Sequence, residues 1–294
     1  MRLAPLLMTA ASAAMLAACT PKTEAPAAVE PATAEEATEA KPLHVAVLDC
    51  GTIGISDLDA FSSSGDYAGA ADELTDTCYL VHHPKGILLW DLGVPGVLKE
   101  AGPVVQDIFT VSLNATITDQ LADLGLTPAD ITYVAISHSH FDHIGQIDQV
   151  QGATWLVHQA ELDAMIPPDG SAPQTSADQI ALFNAFKNLN REAFTGEKDV
   201  FGDGSVVIFE TPGHTPGHTS LQLMMPETGP VLLTGDLYHR AESRPLARVP
   251  RFNFNEEQTR ASMAAFEERA AALGAKVIIQ HEPADITPLG GVIR

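Results

Sequence analysis

The amino-acid sequence predicts an α/β fold in which layers of helices cover β-sheets. Short β-type runs alternate with helical segments from His44 onwards, in two successive halves of the chain, and this alternation is typical of sheets covered by helices. With 294 residues, 45% of them hydrophobic, the chain is long enough for one large domain with a substantial core.

Strands dominate the first half. The strand-like runs are HVAVLDCG (44–51), TCYLVHH (77–83) and GILLWDLG (86–93), of which the last two form a hairpin through Pro84 and Lys85. A helix is predicted over TDQLADLGL (118–126), with Thr118 as its N-cap and Gly125 at its end. Two further strands are expected over ITYVAIS (131–137) and ATWLVHQ (153–159).

The second half starts with an irregular helical stretch over residues 160–198, whose length suggests an insertion that covers a site. Strands follow in SVVIFE (205–210), TSLQLMM (219–225) and PVLLTGD (230–236). The clearest helix spans 255–274, because Asn255 can cap it and apolar residues recur at 3.6-residue spacing up to Gly274. The final strand is KVIIQH (276–281).

The N-terminal segment is predicted to lie outside the folded domain, which spans residues 43–294. It begins with one basic residue and an apolar, alanine-rich run that is too short for a membrane span. The ending LAAC resembles a bacterial lipobox, which predicts a lipoprotein signal peptide over 1–18 and lipidation of Cys19. An ordinary cleaved signal is the alternative. Residues 19–42, rich in Ala, Pro and Glu, are typical of a disordered tether.

These features predict a periplasmic protein anchored to a membrane through lipidated Cys19, and the uncharged Thr20 favours the outer membrane. The chain has 38 Asp+Glu against 16 Lys+Arg, giving a net charge of −22. This balance disfavours nucleic-acid binding and favours a small neutral substrate. A monomer and a homodimer are both compatible with the sequence.

The other two cysteines, Cys50 and Cys78, lie in apolar strand-like runs and belong to no CxxC metal pattern. An oxidising compartment would allow them to pair. We expect buried free thiols instead, because cysteines on inner strands usually act as small hydrophobic residues.

The run ISHSHFDHIGQ carries His138, His140, Asp142 and His143 directly after a predicted buried strand. Side chains at i and i+2 of an extended backbone point the same way, so His138 and His140 are expected to face one place. Imidazole and carboxylate groups in this density indicate a metal site. The alternative is a hydrogen-bonded polar loop.

A second half-site is expected downstream, where three more ligand-type residues follow β-type runs. His214 lies in TPGHTPGHTS, Asp236 ends LLTGD, and His281 ends VIIQH. Layered α/β sheets gather their sites at such strand ends. The two half-sites are therefore predicted to meet.

HSHFDH is similar to the HxHxDH signature of the metallo-β-lactamase superfamily, and the later His, Asp and His fall in the order of that superfamily. The resemblance implies a four-layer αβ/βα sandwich with two divalent metal ions at one edge of the packed sheets. In this resemblance His138, His140 and His214 bind the first ion, Asp142, His143 and His281 bind the second, and Asp236 bridges them. Zinc is the default metal, and manganese, iron and cobalt also suit such ligands.

The same resemblance gives roles to two neighbouring residues. Asp91, in WDLG, matches an early aspartate that orients the histidine loop, although a simple turn aspartate is the alternative. His218 competes with His214 for the first ion. Because the TPGHTPGH context resembles bacterial N-acyl-homoserine lactonases, in which the first histidine binds metal, we expect His218 to support the turn.

The resemblance to this lactonase branch implies hydrolysis of lactone esters, notably N-acyl-homoserine lactones, by attack of a metal-bridging hydroxide. Asp142 would pass a proton to the leaving oxygen. Lactonases of this branch hold the substrate carbonyl with a tyrosine three residues after the bridging aspartate. Here that place falls at His239, with Tyr238 one residue earlier, so both are candidates for substrate contact.

Other functions remain compatible with these residues. The same fold and ligands serve broader lactonases or arylesterases and organophosphate hydrolases. A β-lactamase is less favoured, because class B enzymes lack a carboxylate where Asp236 stands. From a different class, a periplasmic metal-binding lipoprotein is a non-enzymatic alternative, but such binders usually carry flexible His/Asp-rich tracts, which this sequence lacks.

Overall fold

Two β-sheets pack against each other in the part of the chain that the computed structural model describes, residues 42–294. The predicted signal peptide, Cys19 and the tether up to residue 41 lie outside the described residues. Within residues 42–294, no helix is long and apolar enough to cross a membrane.

Strands and helices alternate along residues 42–294. The strands are β1 (His44–Ile55), β2 (Asp72–His83), β3 (Gly86–Trp90), β4 (Val104–Gln106), β5 (Phe109–Ser112), β6 (Tyr133–Ala135), β7 (Thr154–His158), β8 (Arg191–Phe194), β9 (Lys198–Asp199), β10 (Val206–Glu210), β11 (Thr219–Met225), β12 (Gly229–Leu233), β13 (Lys276–Ile278) and β14 (Val292–Ile293). The helices are α1 (Leu98–Ala101), α2 (Ile117–Asp123), α3 (Phe141–Ile144), α4 (Gln159–Met165), α5 (Ala177–Phe186), α6 (Ser243–Leu246), α7 (Glu256–Leu273) and α8 (Pro283–Ile286). Short 3-10 turns connect several of them.

The first sheet has the strand order β4-β5-β1-β2-β3-β6-β7-β8, with β14 pairing with β1. The pairs β3–β6, β6–β7 and β7–β8 are parallel, and the other described pairs of this sheet are antiparallel. The second sheet has the order β13-β12-β11-β10-β9, and only its β12–β13 pair is parallel among the described residues. Both sheets therefore mix hairpins with crossover connections.

Three apolar clusters hold the layers together. Trp90 of the first sheet and Leu221 of the second belong to the cluster that joins the sheets. Trp155 packs with Phe186 of α5 on the outer face of the first sheet. On the outer face of the second sheet, Phe209 stacks on Phe266 of α7. Helices thus cover both outer faces, and the predicted αβ/βα sandwich is confirmed.

Capping explains where the two best-defined helices begin. Asn255 accepts a hydrogen bond from the Gln258 backbone and caps α7, as predicted. Helix α2 begins one residue before the predicted cap, because Thr116 and Asp119 form a reciprocal capping box. Thr118 instead hydrogen-bonds to Gln149, so its prediction as the N-cap was wrong.

Cys50 and Cys78 form a disulfide, so the prediction of free thiols was wrong. The two residues lie on neighbouring antiparallel strands, β1 and β2, and a bulge between Asp49 and Gly51 shifts the register beside them. Their Cα atoms are 5.8 Å apart, within the range that a disulfide spans. The sequence alone did not show that these strands pair with this register.

Replacing both cysteines by alanine (Cys50→Ala/Cys78→Ala) is expected to lower the free energy of unfolding by about 3 kcal/mol, because the bond closes a loop in the unfolded chain. Urea unfolding measures the change. The parent protein in the presence of reductant serves as the control and should match the double variant. An unchanged unfolding midpoint in reductant contradicts the prediction.

Candidate metal centre

The site lies at one edge of the sandwich, where strands of both sheets end. The first sheet contributes the segment after β6, which holds His138 and leads into α3. The second sheet contributes the turn between β10 and β11 with His214, the turn after β12 with Asp236, and the segment after β13 with His281. Strand ends are rigid, so the folded sheets fix where these side chains start.

A first cluster joins His138, His140, His214 and Asp236, whose ligand atoms all lie within 4.8 Å of one another. The Nδ1 atom of His140 lies 2.9 Å from His138 Nε2 and 3.0 Å from His214 Nε2. Burial lowers the pKa of His138 and of His140 well below the usual value, so both imidazoles are neutral. Neutral imidazoles are the form that binds a cation.

A second cluster joins Asp142, His143, Asp236 and His281 within the same 4.8 Å limit. The Nε2 atoms of His143 and His281 lie 3.2 Å and 2.9 Å from Asp236 Oδ1. Both nitrogens also lie 3.8 Å from Asp142 Oδ2. Burial opposes protonation of His143, but the carboxylates of Asp236 and Asp91 raise its pKa well above the usual value.

Asp236 belongs to both clusters and turns one oxygen towards each. Its Oδ2 lies 3.3 Å from His214 Nε2, while its Oδ1 faces the second cluster. Burial opposes ionisation of this carboxyl, but the imidazoles around it, His239 foremost, hold its pKa well below the usual range. A carboxylate in this position can bridge two cations.

The chemistry of the ligand atoms in the two clusters shows whether metal ions fit there. Each cluster converges imidazole nitrogens and carboxylate oxygens on one point, and three nitrogens of the first cluster face one another at hydrogen-bond distance. A cation at that point would bind all three lone pairs at once. Nitrogen and oxygen ligands of this kind suit divalent zinc, manganese, iron or cobalt. The residues therefore fit two divalent ions that share Asp236.

Asp91 makes three hydrogen bonds that connect the histidine loop to its surroundings. Its Oδ2 accepts hydrogen bonds from His143 Nδ1 at 3.0 Å and from Gln280 Nε2 at 2.8 Å, and its Oδ1 accepts from the Ser137 backbone at 2.5 Å. Asp91 is fully buried and has a φ of 60°, a conformation that few residues other than glycine adopt. These bonds fix the imidazole of His143 so that its Nε2 faces Asp236.

His218 lies behind Asp236 rather than among the ligand atoms. Its Nε2 accepts a hydrogen bond from the Asp236 backbone at 2.9 Å, and its Nδ1 donates to the Thr211 carbonyl at 3.0 Å. Burial lowers its pKa to about 3, which keeps the ring neutral and able to accept. Gly235 makes this contact possible, because a Cβ there would lie 2.7 Å from the His218 ring. His218 thus supports the turn that carries Asp236.

Only one of the two predicted substrate contacts reaches the site. His239 Nε2 lies 3.0 Å from Asp236 Oδ2, and its ring packs edge-on against Phe61. Tyr238 points the other way, and its hydroxyl donates to Glu267 on α7 at 3.0 Å. The prediction for Tyr238 is corrected by this placement, because successive residues of an extended backbone face opposite sides.

Gln280 and Asn253 are among the residues that support the centre and that sequence reasoning missed. Gln280 is fully buried, and its amide links Asp91 to the Gly235 backbone and to the indole of Trp90. A polar residue directly before His281 was the available signal. Asn253 accepts a hydrogen bond from His214 Nδ1 at 3.2 Å, and nothing in the local sequence indicated this contact.

An apolar cavity of about 230 Å³ opens onto the centre. Its wall consists of apolar residues from β1, β2, the β4–β5 hairpin, α3 and two connecting segments, and its floor consists of cluster residues and His239. The wall residues are Ile53, Phe61, Leu74, Ile108, Phe109, Phe141 and Phe252. The sequence suggested residues 160–198 as an irregular helical cover, but strand β8 follows helices α4 and α5 there. None of these residues lines this cavity, whereas Gln179 and Phe183 line a neighbouring cavity that reaches His140.

The sandwich and the paired clusters define a metal-dependent hydrolase. Residues 71–281 match the family described as the metallo-beta-lactamase superfamily. The chain belongs to this superfamily.

Several curated relatives carry a more specific name. An N-acyl homoserine lactonase AttM of Rhizobium radiobacter is 33% identical over 226 residues, which cover 73% of this chain and 84% of the relative. An AttM of Azorhizobium caulinodans is 29% identical over 231 residues, covering 73% of this chain and 84% of the relative.

A solved structure shows the same fold. It is an N-acyl homoserine lactone hydrolase with the product N-hexanoyl-L-homoserine at its catalytic metal centre. The TM-score is 0.70 at 24% identity, with 83% of this chain and 95% of that chain covered.

Proposed function

We propose that the protein opens the ring of N-acyl-homoserine lactones by metal-dependent hydrolysis. One observation carries the proposal: two His/Asp clusters share Asp236 and face an apolar cavity. The similarity to curated N-acyl homoserine lactonases supports this substrate class.

The residues of the chain have separate tasks in this reaction. Two divalent ions, zinc by preference, would make a water molecule nucleophilic near neutral pH and polarise the lactone carbonyl. Asp142 borders the cavity, and its Oδ2 lies 3.8 Å from the Nε2 atoms of His143 and His281. Its carboxylate can take the proton of the attacking water and pass it to the alkoxide oxygen that leaves when the ring C–O bond breaks. Asp91 and His218 keep the ligands oriented.

The cavity suits a neutral amphiphilic substrate. Phenylalanine and aliphatic side chains form its wall, so an acyl chain can leave water there while the lactone ring reaches the floor. The net charge of −22 disfavours anionic substrates such as phosphorylated compounds. A broader lactonase or arylesterase uses the same geometry, and the substrate panel below separates these activities.

Removing a ligand is expected to abolish turnover. Asp236→Ala and His140→Ala should each lower kcat/KM for lactones by about 100-fold or more, because Asp236 belongs to both clusters that would hold the ions and His140 belongs to the first. Hydrolysis is measured on lactones of several acyl lengths, an aryl ester, a phosphotriester and a cephalosporin.

The parent protein should hydrolyse lactones fastest and lose activity after exhaustive chelation, with recovery on adding zinc. Metal analysis of the same samples should give two ions per chain. Undiminished turnover after chelation contradicts a metal-dependent reaction. A preference for the cephalosporin contradicts the lactone assignment, and bound metal without any turnover favours a metal-binding lipoprotein.

We assign the substrate contact after Asp236 to His239. His239→Ala is expected to lower kcat/KM by about 100-fold, the effect of losing one polar group that faces the reacting carbonyl. Tyr238→Phe is the matched control, since its hydroxyl bonds to Glu267 away from the cavity, and it should retain activity within about threefold. Loss of activity in Tyr238→Phe, with activity retained in His239→Ala, would instead assign the substrate contact to Tyr238.

We further propose that the mature protein is a periplasmic lipoprotein, anchored through Cys19 at the outer membrane. The lipobox-like run supports this location, and the Cys50–Cys78 disulfide is typical of an oxidising compartment. In fractionated cells the parent should sediment with membranes and Cys19→Ser should not. Soluble parent protein contradicts the anchor.

A further inference from the structure

A buried carboxylate on helix α4 contacts both loops of the first cluster. Glu161, on α4, is 1% exposed. Its Oε1 accepts a hydrogen bond from the Ser139 backbone at 2.7 Å. Its Oε2 accepts from Thr215 Oγ1 at 2.8 Å and from the Gly217 backbone at 2.9 Å. One side chain thus joins two segments that are distant in the sequence.

The donors are neighbours of the first-cluster ligands. Ser139 lies between His138 and His140, and Thr215 directly follows His214. The carboxylate of Glu161 therefore fixes both loops that supply the three imidazoles of this cluster. The side-chain partners of Glu161 among the described residues are Ser139, Thr215 and Gly217. The second-cluster residues Asp142, His143 and His281 are not among them.

The packing around Glu161 is tight on both sides. A Cβ at Gly217 would lie 2.2 Å from the Glu161 backbone nitrogen, so only glycine allows the loop to approach α4 this closely. Gln179, on α5, donates to the Ser139 carbonyl. Both backbone groups of Ser139 are thus held by helices α4 and α5.

Hydrogen bonds to a buried carboxylate are stronger and shorter than bonds between neutral groups. A neutral replacement leaves donors without a partner, and the two loops then lose a common point of attachment. A small shift of either loop changes the distance between His140 and His214, which are 3.0 Å apart at their facing nitrogens. Metal ligation is sensitive to such shifts.

We propose that Glu161 is a positioning residue that sets the spacing of the two histidine loops and thereby the affinity and geometry of the first metal position. The proposal rests on metal binding by the first cluster, which belongs to the proposed function, but not on any substrate. Helix α4 acts here as a brace for the metal loops.

The test uses Co²⁺ binding, because its visible absorption reports ligand geometry without any turnover. All variants are made in a His281→Ala background, which weakens the second position, so that bound cobalt reports the first. Glu161→Ala removes the carboxylate, and Glu161→Gln keeps its shape. Gln159→Ala is the control on the same helix, since its side chain bonds only to exposed Asp163 in the structure.

We expect Glu161→Ala and Glu161→Gln to weaken cobalt binding by about 10-fold or more and to change the visible spectrum, while Gln159→Ala matches the background protein. Thermal melting of the metal-free proteins identifies a variant that has not folded, and Glu161→Gln then decides the outcome. Cobalt affinity and spectrum unchanged in folded Glu161→Gln overturn the proposal. Failure of lactone hydrolysis in the parent affects the proposed function alone, since this readout uses no substrate.

Discussion

The shared carboxylate of Asp236 is the constraint on which the centre depends. The Nε2 atoms of five histidines lie within 3.5 Å of its oxygens: His138, His143, His214, His239 and His281. A buried charge is costly unless it is paired. Here imidazole nitrogens approach both oxygens of the Asp236 carboxylate. Because Asp236 belongs to both clusters, its position determines how the two sets of ligand atoms are placed relative to each other. Gly235, His218 and Gln280 hold the turn that sets this position.

The αβ/βα sandwich holds Asp236 and the other ligand-type residues in a rigid arrangement. Packing between the sheets fixes the strand ends, and short loops carry the ligands only a few residues beyond them. Buried polar residues then complete the geometry, with Asp91 on one side and Glu161 on the other. The centre is thus held by hydrogen bonds that run from both sheets and from helix α4.

The cavity has a polar floor at the metal centre and an apolar wall, and each part serves a different need of the reaction. Hydrolysis needs water and ligands at the floor, whereas an acyl chain gains by leaving water at the wall. The β4–β5 hairpin supplies that wall with Ile108 and Phe109, and the end of β1 and the start of β2 supply Ile53 and Leu74. Strands β1 and β2 extend beyond the ends that the sequence suggested, and β4 and β5 lie where no strand was predicted. The wall is therefore a product of strand length and pairing.

The sequence by itself determined the fold class and indicated a group of ligand-type residues, because those depend on local patterns: alternating strand and helix signals, and polar residues directly after β runs. The choice of His214 over His218 rested on the resemblance to bacterial lactonases. It also located the α7 cap at Asn255. Tertiary structure decided the features that depend on which strands pair and on which way each side chain points. The bulge in β1 brought Cys50 to Cys78, and backbone direction sent Tyr238 to α7 while His239 faced the cavity. Glu161 has no local signal, since only packing brings α4 to two loops distant in sequence.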